Sequence, residues 1–225
     1  FPDVGLLTMA EMVENVRYIA NAIDVPLVCD ADTGYGNPVN VYRTVREYEA
    51  AGAAGLHIED QVWPKRCGFL EGKQVIPMEE MVPKVKAACD ARRSADFVII
   101  ARTDALAVNG WEDVIRRARS YREAGADLIF VEAPESLEEM EQIVAQIPPP
   151  LTVNNIEGGR TPILPLEKAR DMGFISVGFV LTGLYAAARA MEDAVELDPD
   201  SVLDAGYASS DTDSEAHGFG RNPSE

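Results

Sequence analysis

Lysine is scarce in this chain. Of its 225 residues only Lys65, Lys73, Lys84, Lys86 and Lys168 are lysines, and 20 basic residues face 38 acidic ones, for a formal net charge of −18. A field of that sign repels phosphate backbones and anionic headgroups, so nucleic acid and membrane are poor partners. Cysteine is nearly as sparse. Cys29, Cys67 and Cys89 stand at unrelated spacings that make neither a zinc site nor a disulfide framework, which points to a reducing compartment and a cytoplasmic protein. Long apolar runs are lacking too: none reaches the length of a membrane span, and the opening residues carry no signal-peptide pattern.

What is present is a core-forming chain. Hydrophobic residues are 47% of the total, enough over this length for one large domain or two small ones. An acidic, lysine-poor surface over such a core fits a halophilic cytoplasm, where carboxylates hold water and salt screens their repulsion. An ordinary acidic bacterial protein is the competing reading.

Apolar strands and amphipathic helices alternate. Thr8 with Glu11 forms a capping-box pattern for a helix running to about Ile23. Strands are expected from Val28 into the Asp30–Asp32 pair, and at 55–60, 97–104, 127–132, 151–155 and 175–179. Between and after them lie helices over about 39–51, 77–93, 111–124 and 137–147, a short one ending near Gly173, and one over about 184–195. Such alternation means a parallel sheet covered by helices. Polar residues gather where the strands end: Asp30 and Asp32, Glu59 and Asp60, Arg102 and Asp104, Glu132, and Asn154. A doubly wound sheet would draw its site from one switch point, whereas a β/α barrel draws it from nearly every strand. The expected fold is therefore α/β, a (β/α)8 TIM-type barrel. Six strands are visible where closure needs eight, so the first two are expected upstream of Phe1, or else the barrel is open. Residues 1–197 read as the barrel domain, and the acidic 198–225, with Ser209-Ser210-Asp211-Thr212-Asp213-Ser214-Glu215, as a disordered tail.

The stretch Val28-Cys29-Asp30-Ala31-Asp32-Thr33-Gly34-Tyr35-Gly36-Asn37 carries the first chemistry. Residues i and i+2 of a strand face the same way, so Asp30 and Asp32 can converge on one point. Two anions that close need a cation or a proton between them, and a hard divalent ion such as Mg2+, or Mn2+, answers that need. Two solvated loop acids are the bland alternative, which this spacing alone would favour. The second stretch is the long polar connection from Gln61 to Ile76, of the kind that serves as a lid. In it Cys67 stands after Lys65 and Arg66, which can stabilise a thiolate and make the sulfur a proton donor or nucleophile. Cys29 and Cys89 read instead as small buried hydrophobes.

Five motifs then occur in order: Asp30-Ala31-Asp32-Thr33-Gly34-Tyr35-Gly36-Asn37, His57-Ile58-Glu59-Asp60-Gln61, Lys65-Arg66-Cys67-Gly68, Ala101-Arg102-Thr103-Asp104-Ala105 and Asn154-Asn155-Ile156-Glu157-Gly158-Gly159. Together they strongly resemble the isocitrate lyase and phosphoenolpyruvate mutase superfamily, in its methylisocitrate lyase, dimethylmalate lyase and carboxyphosphonate phosphonomutase branch. The resemblance covers roughly Leu6 to Met191. It implies a barrel, a homotetramer that exchanges a helix, and Mg2+ chelating an α-keto or α-hydroxy acid. By resemblance Asp30 and Asp32 hold the metal and Glu59 reaches it mainly through water. Gly68, Arg102, Glu132, Asn154 and Glu157 would contact substrate or its metal shell, and Cys67 would be the acid/base of the lyases.

The implied chemistry is retro-aldol cleavage of a small 2-hydroxy di- or tricarboxylate to an α-keto acid and a carboxylate. Mg2+ acidifies the hydroxyl, Arg102 offsets carboxylate charge, and Cys67 protonates the carbanion. Tyr35 and Lys65 are the candidates to take the hydroxyl proton. Phosphonate P–C mutase or hydrolase chemistry is the alternative within the superfamily, and Cys67 favours the lyases. A barrel that binds metal and carboxylate without turnover is the reading if the first strands are absent. Phe69 stands where relatives usually carry histidine, and Tyr185 about where methylisocitrate lyases place a carboxylate-binding arginine, so both favour a smaller or less charged substrate. His57 reads as a hydrogen-bonded structural histidine, and Trp63 and Trp111 as packing residues. Arg116, Arg117, Arg119 and Arg122 read as a solvated helix face.

Overall fold

The computed structural model describes residues 3–68 and 70–196. The expected acidic tail and Phe69 lie outside the described residues. The chain divides into two compact units, Phe1–Phe179 and Val180–Glu225. Among the described residues no helix is long and apolar enough to cross a membrane.

The first unit alternates as the hydrophobic pattern requires. Its elements are α1 (Met9–Ala22), β1 (Val28–Asp30), α2 (Pro38–Ala51), β2 (Gly55–Glu59), α3 (Met78–Ala91) and β3 (Val98–Thr103). They continue with α4 (Ala105–Asn109), α5 (Trp111–Glu123), β4 (Leu128–Val131), α6 (Leu137–Gln146), β5 (Leu151–Asn155), α7 (Leu166–Met172) and β6 (Ser176–Phe179). The second unit contributes α8 (Thr182–Glu196). Of these only α4 was not expected; five residues are too few to show a helical period. The six strands pair in sequence order, all parallel, as a curled half-barrel. The fold is thus that of the (β/α)8 barrel, with six of its strands among the described residues.

Local chemistry sets the helix ends. The Thr8–Glu11 capping box forms, with Thr8 N–H donating to Glu11 Oε2 at 2.8 Å. Asn37 caps α2 and Asn40 reciprocates, while Pro38 starts the helix with its φ already suitable. Gly52 and Gly173 end α2 and α7 in the left-handed region. Alternation along the strands then divides the side chains. Leu56, Ile58, Ile99, Ala101, Ile129 and Val153 are buried toward the helices, against Tyr48, Met81, Tyr121 and Met140. The opposite face carries Asp30, His57, Glu59, Arg102 and Asn154.

The expectation of a solvated arginine face on α5 is corrected at Arg117. Val114, Arg117, Ala118 and Tyr121 share the inward stripe, and Arg117 is buried. Its Nε donates to Asp113 Oδ2 at 2.6 Å and its Nη1 to Asp60 Oδ2 at 3.1 Å, which also accepts from Tyr121 at 2.8 Å. A guanidinium at that depth is tolerated because two carboxylates meet it.

Asp113 gives this network a pH signature. Burial opposes its charge, but donors from Asn109, Arg116 and Arg117 outweigh burial and bring its pKa down to about 2. A carboxylate held below its ordinary value adds stability above pH ~4 that is lost as pH falls toward the folded value. Asp113→Asn is therefore expected to cost about 2 kcal/mol at pH 7, with the difference vanishing near pH 2. Urea unfolding of both proteins at several pH values checks this; a pH-independent difference would mean that the three donors do not hold the carboxylate.

Candidate metal and carboxylate site

The turn after β1 is conformationally costly. Asp32 and Tyr35 take positive φ values of 46° and 59°, and Gly34 lies between them at 82°. Non-glycine residues in that region persist only where the surroundings hold them, and such strain gathers at functional sites. At Gly34 a Cβ would come within 2.5 Å of Val41 Cγ2, so packing forbids a side chain there as well. Asp30 Oδ1 accepts the Asp32 N–H at 2.7 Å and lies 3.1 Å from His57 Nε2. Below it the Tyr48 hydroxyl donates to the Asp30 carbonyl at 3.1 Å and stands 3.0 Å from the Tyr35 hydroxyl.

Lys65 meets these acids. Its side chain is 3% exposed, with Nζ 3.0 Å from Asp32 Oδ1 and paired with Asp3 as well. Burial works against the ammonium, but Asp30, Glu59, Asp3 and Asp32 outweigh it and hold Lys65 protonated. Burial also opposes charge on Asp30, yet His57, Lys65 and Arg102 keep its carboxyl well below the usual range. Asp32 moves the other way, raised by burial and by Asp30. Burial and Tyr48 push the Tyr35 phenol far up. Neither Lys65 nor Tyr35 therefore rests as a base.

The register of β2, β3 and β4 sets a second charged group beside the first. Glu59 pairs in register with Arg102, and Arg102 with Phe130. Arg102 is buried over the Phe130 ring. It donates to Asp104 through Nε at 3.0 Å and Nη2 at 3.2 Å, and its Nη1 is 3.2 Å from Glu132 Oε2. Glu59 Oε2 is 3.2 Å from Arg102 Nε but off the donor direction, and both Glu59 oxygens are buried without a hydrogen bond. Burial drives Glu59 upward to about 8 despite Arg102, and raises Glu132 too.

The Cys67 turn closes on this group. Gly68 packs so tightly that a Cβ would sit 2.3 Å from Glu132 Oε1 and 2.9 Å from Arg102 Nη2. Glycine is required there by close approach, since no positive φ is involved. Cys67 is half-buried and free. Its flanking cations are engaged by oxygens: Lys65 by Asp3 and Asp32, Arg66 by the Glu71 carbonyl at 3.4 Å. Their expected part in stabilising a thiolate finds no support in these contacts.

Other expectations divide. Asn154 is half-buried and its side chain makes no hydrogen bond among the described residues, whereas Asn155 exchanges two hydrogen bonds with the Leu164 backbone and is structural. Glu157 is half-buried after β5. Trp63 packs edge-on to Tyr35 with 45% of its surface open. Asp3, Lys73 and the role of Asp104 as a shared carboxylate were not singled out from the sequence. The first two had no periodic signal, and Asp104 had only its place two residues beyond Arg102.

Among the described residues no three His, Cys, Asp or Glu side chains close around a point tightly enough to enclose an ion unaided. Mg2+ needs no such cage, since it keeps several waters and binds through one or two carboxylates. Asp3, Asp30 and Asp32 line a cavity of about 150 Å³ with Leu6, Leu7 and Met12, and the two unbonded Glu59 oxygens have acceptor capacity left for bound water. The donor set is all oxygen, as a hard cation requires. The residues fit the ion.

Fold and site together define a parallel β/α half-barrel that gathers carboxylates and one buried arginine at the carboxyl ends of its strands. The chain belongs to the phosphoenolpyruvate phosphomutase family, which it matches over residues 1–197. It is 50% identical over 192 residues to 2,3-dimethylmalate lyase of Eubacterium barkeri, covering 85% of this chain and 66% of that protein. It is 48% identical over 191 residues to 2-methylisocitrate lyase of Aeropyrum pernix, covering 85% and 61%. It thus spans slightly less than two thirds of these relatives' lengths. A crystal structure of a 2,3-dimethylmalate lyase superposes with a TM-score of 0.83 at 37% identity, covering 96% of this chain and 78% of the other.

Proposed function

We propose that this protein is a divalent-metal-dependent carbon–carbon lyase that cleaves a small 2-hydroxy dicarboxylate to an α-keto acid and a carboxylate. The observation that supports the reading is the seat of Gly68, the residue after Cys67, against Arg102 and Glu132, the charged group on the inner face that holds a buried guanidinium. Likeness to relatives named as lyases supports the same class.

Mg2+, held by Asp30 and Asp32 with Glu59 acting through water, would supply Lewis-acid polarisation of the substrate's 2-oxygen, and Mn2+ fits the same donors. Arg102 offsets negative charge that spreads into the carboxylate as the carbon–carbon bond breaks, fixed in direction by Asp104 and Glu132. As the carbon–carbon bond breaks, the 2-hydroxyl proton passes through bound water to Glu59, whose two oxygens carry no hydrogen bond, and Cys67 delivers its proton to the carbanion carbon. Lys65 enters as a fixed cation among the acids, not as the base. Gly68, Glu132, Asn154 and Glu157 line the substrate's side of the pocket in this proposal. By family resemblance the protein is proposed to assemble as a homotetramer.

The charge balance favours a dicarboxylate. Arg102 is shared among Glu59, Asp104 and Glu132, Lys65 between Asp3 and Asp32, and Lys73 is bound to Asp104. With one substrate carboxylate assigned to the metal and one to Arg102, no cation of this group is left over for a third. The test, with Mg2+, is keto-acid release from a panel of methyl-substituted malates and citrates, and conversion of phosphonopyruvate to phosphoenolpyruvate or to pyruvate and phosphate. Turnover is expected for a substituted malate. Turnover of phosphonopyruvate alone would move the protein to the phosphonate branch that its family's description names, and turnover of a citrate alone would overturn the charge argument.

A further inference from the structure

We propose that Lys73 is the positioning residue of the Cys67–Gly68 turn, setting where the proposed acid stands relative to Arg102. The kinetic half of this inference rests on the lyase reading; the structural half does not.

Lys73 follows Cys67 later in the same loop, and its side chain is only 4% exposed. Its Nζ donates to the Gly68 carbonyl at 2.7 Å and to Asp104 Oδ1 at 2.8 Å. A buried ammonium is tolerated only where acceptors meet it, so these two bonds fix the side chain and what it holds. Asp104 is itself fully buried and gives its two oxygens to Arg102. One carboxylate therefore joins the arginine of the barrel to the lysine of the loop.

The rest of the loop shows why that link matters. Its stem is held by its own bonds: Gln61 exchanges two with the Arg66 backbone, Val62 N–H donates to Gln74 O, and Ile76 N–H to Asp60 O. Beyond the stem the turn is closed on itself by Leu70 N–H to Cys67 O at 2.9 Å. Gly68 is pressed against Glu132 and Arg102 on one side and tied by its carbonyl to Lys73. Contact alone would let the turn lift away. Apart from the exposed ion pair of Arg160 with Glu71, the ammonium is what pins it, and displacement of a reacting group by about 1 Å can cost a hundredfold in rate.

Lys73→Met keeps the length and removes the charge and both donors. Its kcat is expected to fall about a hundredfold with KM little changed, and Lys73→Arg, which retains donors, to recover part of the loss. Iodoacetamide labelling of Cys67, followed by mass spectrometry, is the readout independent of turnover. It should be faster in Lys73→Met, and protection by Mg2+ with pyruvate should weaken, while labelling of Cys29 and Cys89 stays as it was. Wild-type labelling and protection of Cys67 in Lys73→Met would overturn the proposal, even if no substrate is ever turned over. So would a loss confined to KM, or a kcat loss with unchanged labelling. If Lys73→Met does not fold, Lys73→Gln carries the same labelling test with the same two outcomes.

Discussion

Cys67→Ser is expected to lower kcat by about 10²–10⁴-fold, the range that a general acid contributes, and to leave KM close to its original value. The split follows from the site. Arg102 is clamped by Asp104 and Glu132 whether or not the thiol is present, so ground-state binding has its own supports. Serine is nearly the size of cysteine but a far weaker acid, and Gly68 keeps its seat against Glu132 in either case. Proton delivery to the carbanion is then what the variant loses. Steady-state kinetics on the substituted malate found by the panel measure both parameters. A serine variant with full kcat would leave the lyase reading without its acid and turn attention to phosphonate mutase chemistry, where phosphorus moves from carbon to the enolate oxygen and no carbanion awaits that proton.

Asp32→Asn is the second large effect. Asparagine, like aspartate, accepts the left-handed backbone that Asp32 adopts at φ 46°, so the turn survives while one anion goes. Metal affinity should fall by more than about 100-fold, the upper cost of losing a mere outer-shell partner, and turnover at fixed Mg2+ with it. The variant also frees Lys65 from Asp32 and leaves it to Asp3 and the field of its other neighbours. Thermal unfolding with and without Mg2+ separates binding from catalysis: a ligand that binds only the folded state raises Tm, and that rise should be lost. An Asp32→Asn protein whose melting still responds fully to Mg2+ would show that the ion is held elsewhere.

Much of this was legible in the chain itself, for reasons that differ from residue to residue. The six strands declared themselves because both faces of a parallel strand are covered, which leaves unbroken apolar runs such as Phe97-Val98-Ile99-Ile100. Asp30, Glu59, Arg102, Glu132 and Asn154 could be named as site candidates because a barrel collects the carboxyl ends of its strands at one face, so position along a strand is already position in space. Arg117 misled for the opposite reason. A charged residue on a helix is normally solvated, and its burial is tolerable because Asp113 one turn back is joined by Asp60, contributed by the end of a distant strand.

The sequence by itself thus determined the alternating architecture, the end of the sheet that carries the chemistry, and the family, because these depend on local periodicity and on motifs whose members lie close along the chain. Only the tertiary structure decided who neutralises whom. Lys65 lies in the loop beside Cys67, yet its charge is spent on Asp3 and Asp32; Lys73 reaches back to Gly68 and across to Asp104; Glu59 keeps two buried oxygens without a hydrogen bond. Electrostatic pairing is fixed by distance and by exclusion of water, and a linear chain records neither until strands and loops have folded one upon another.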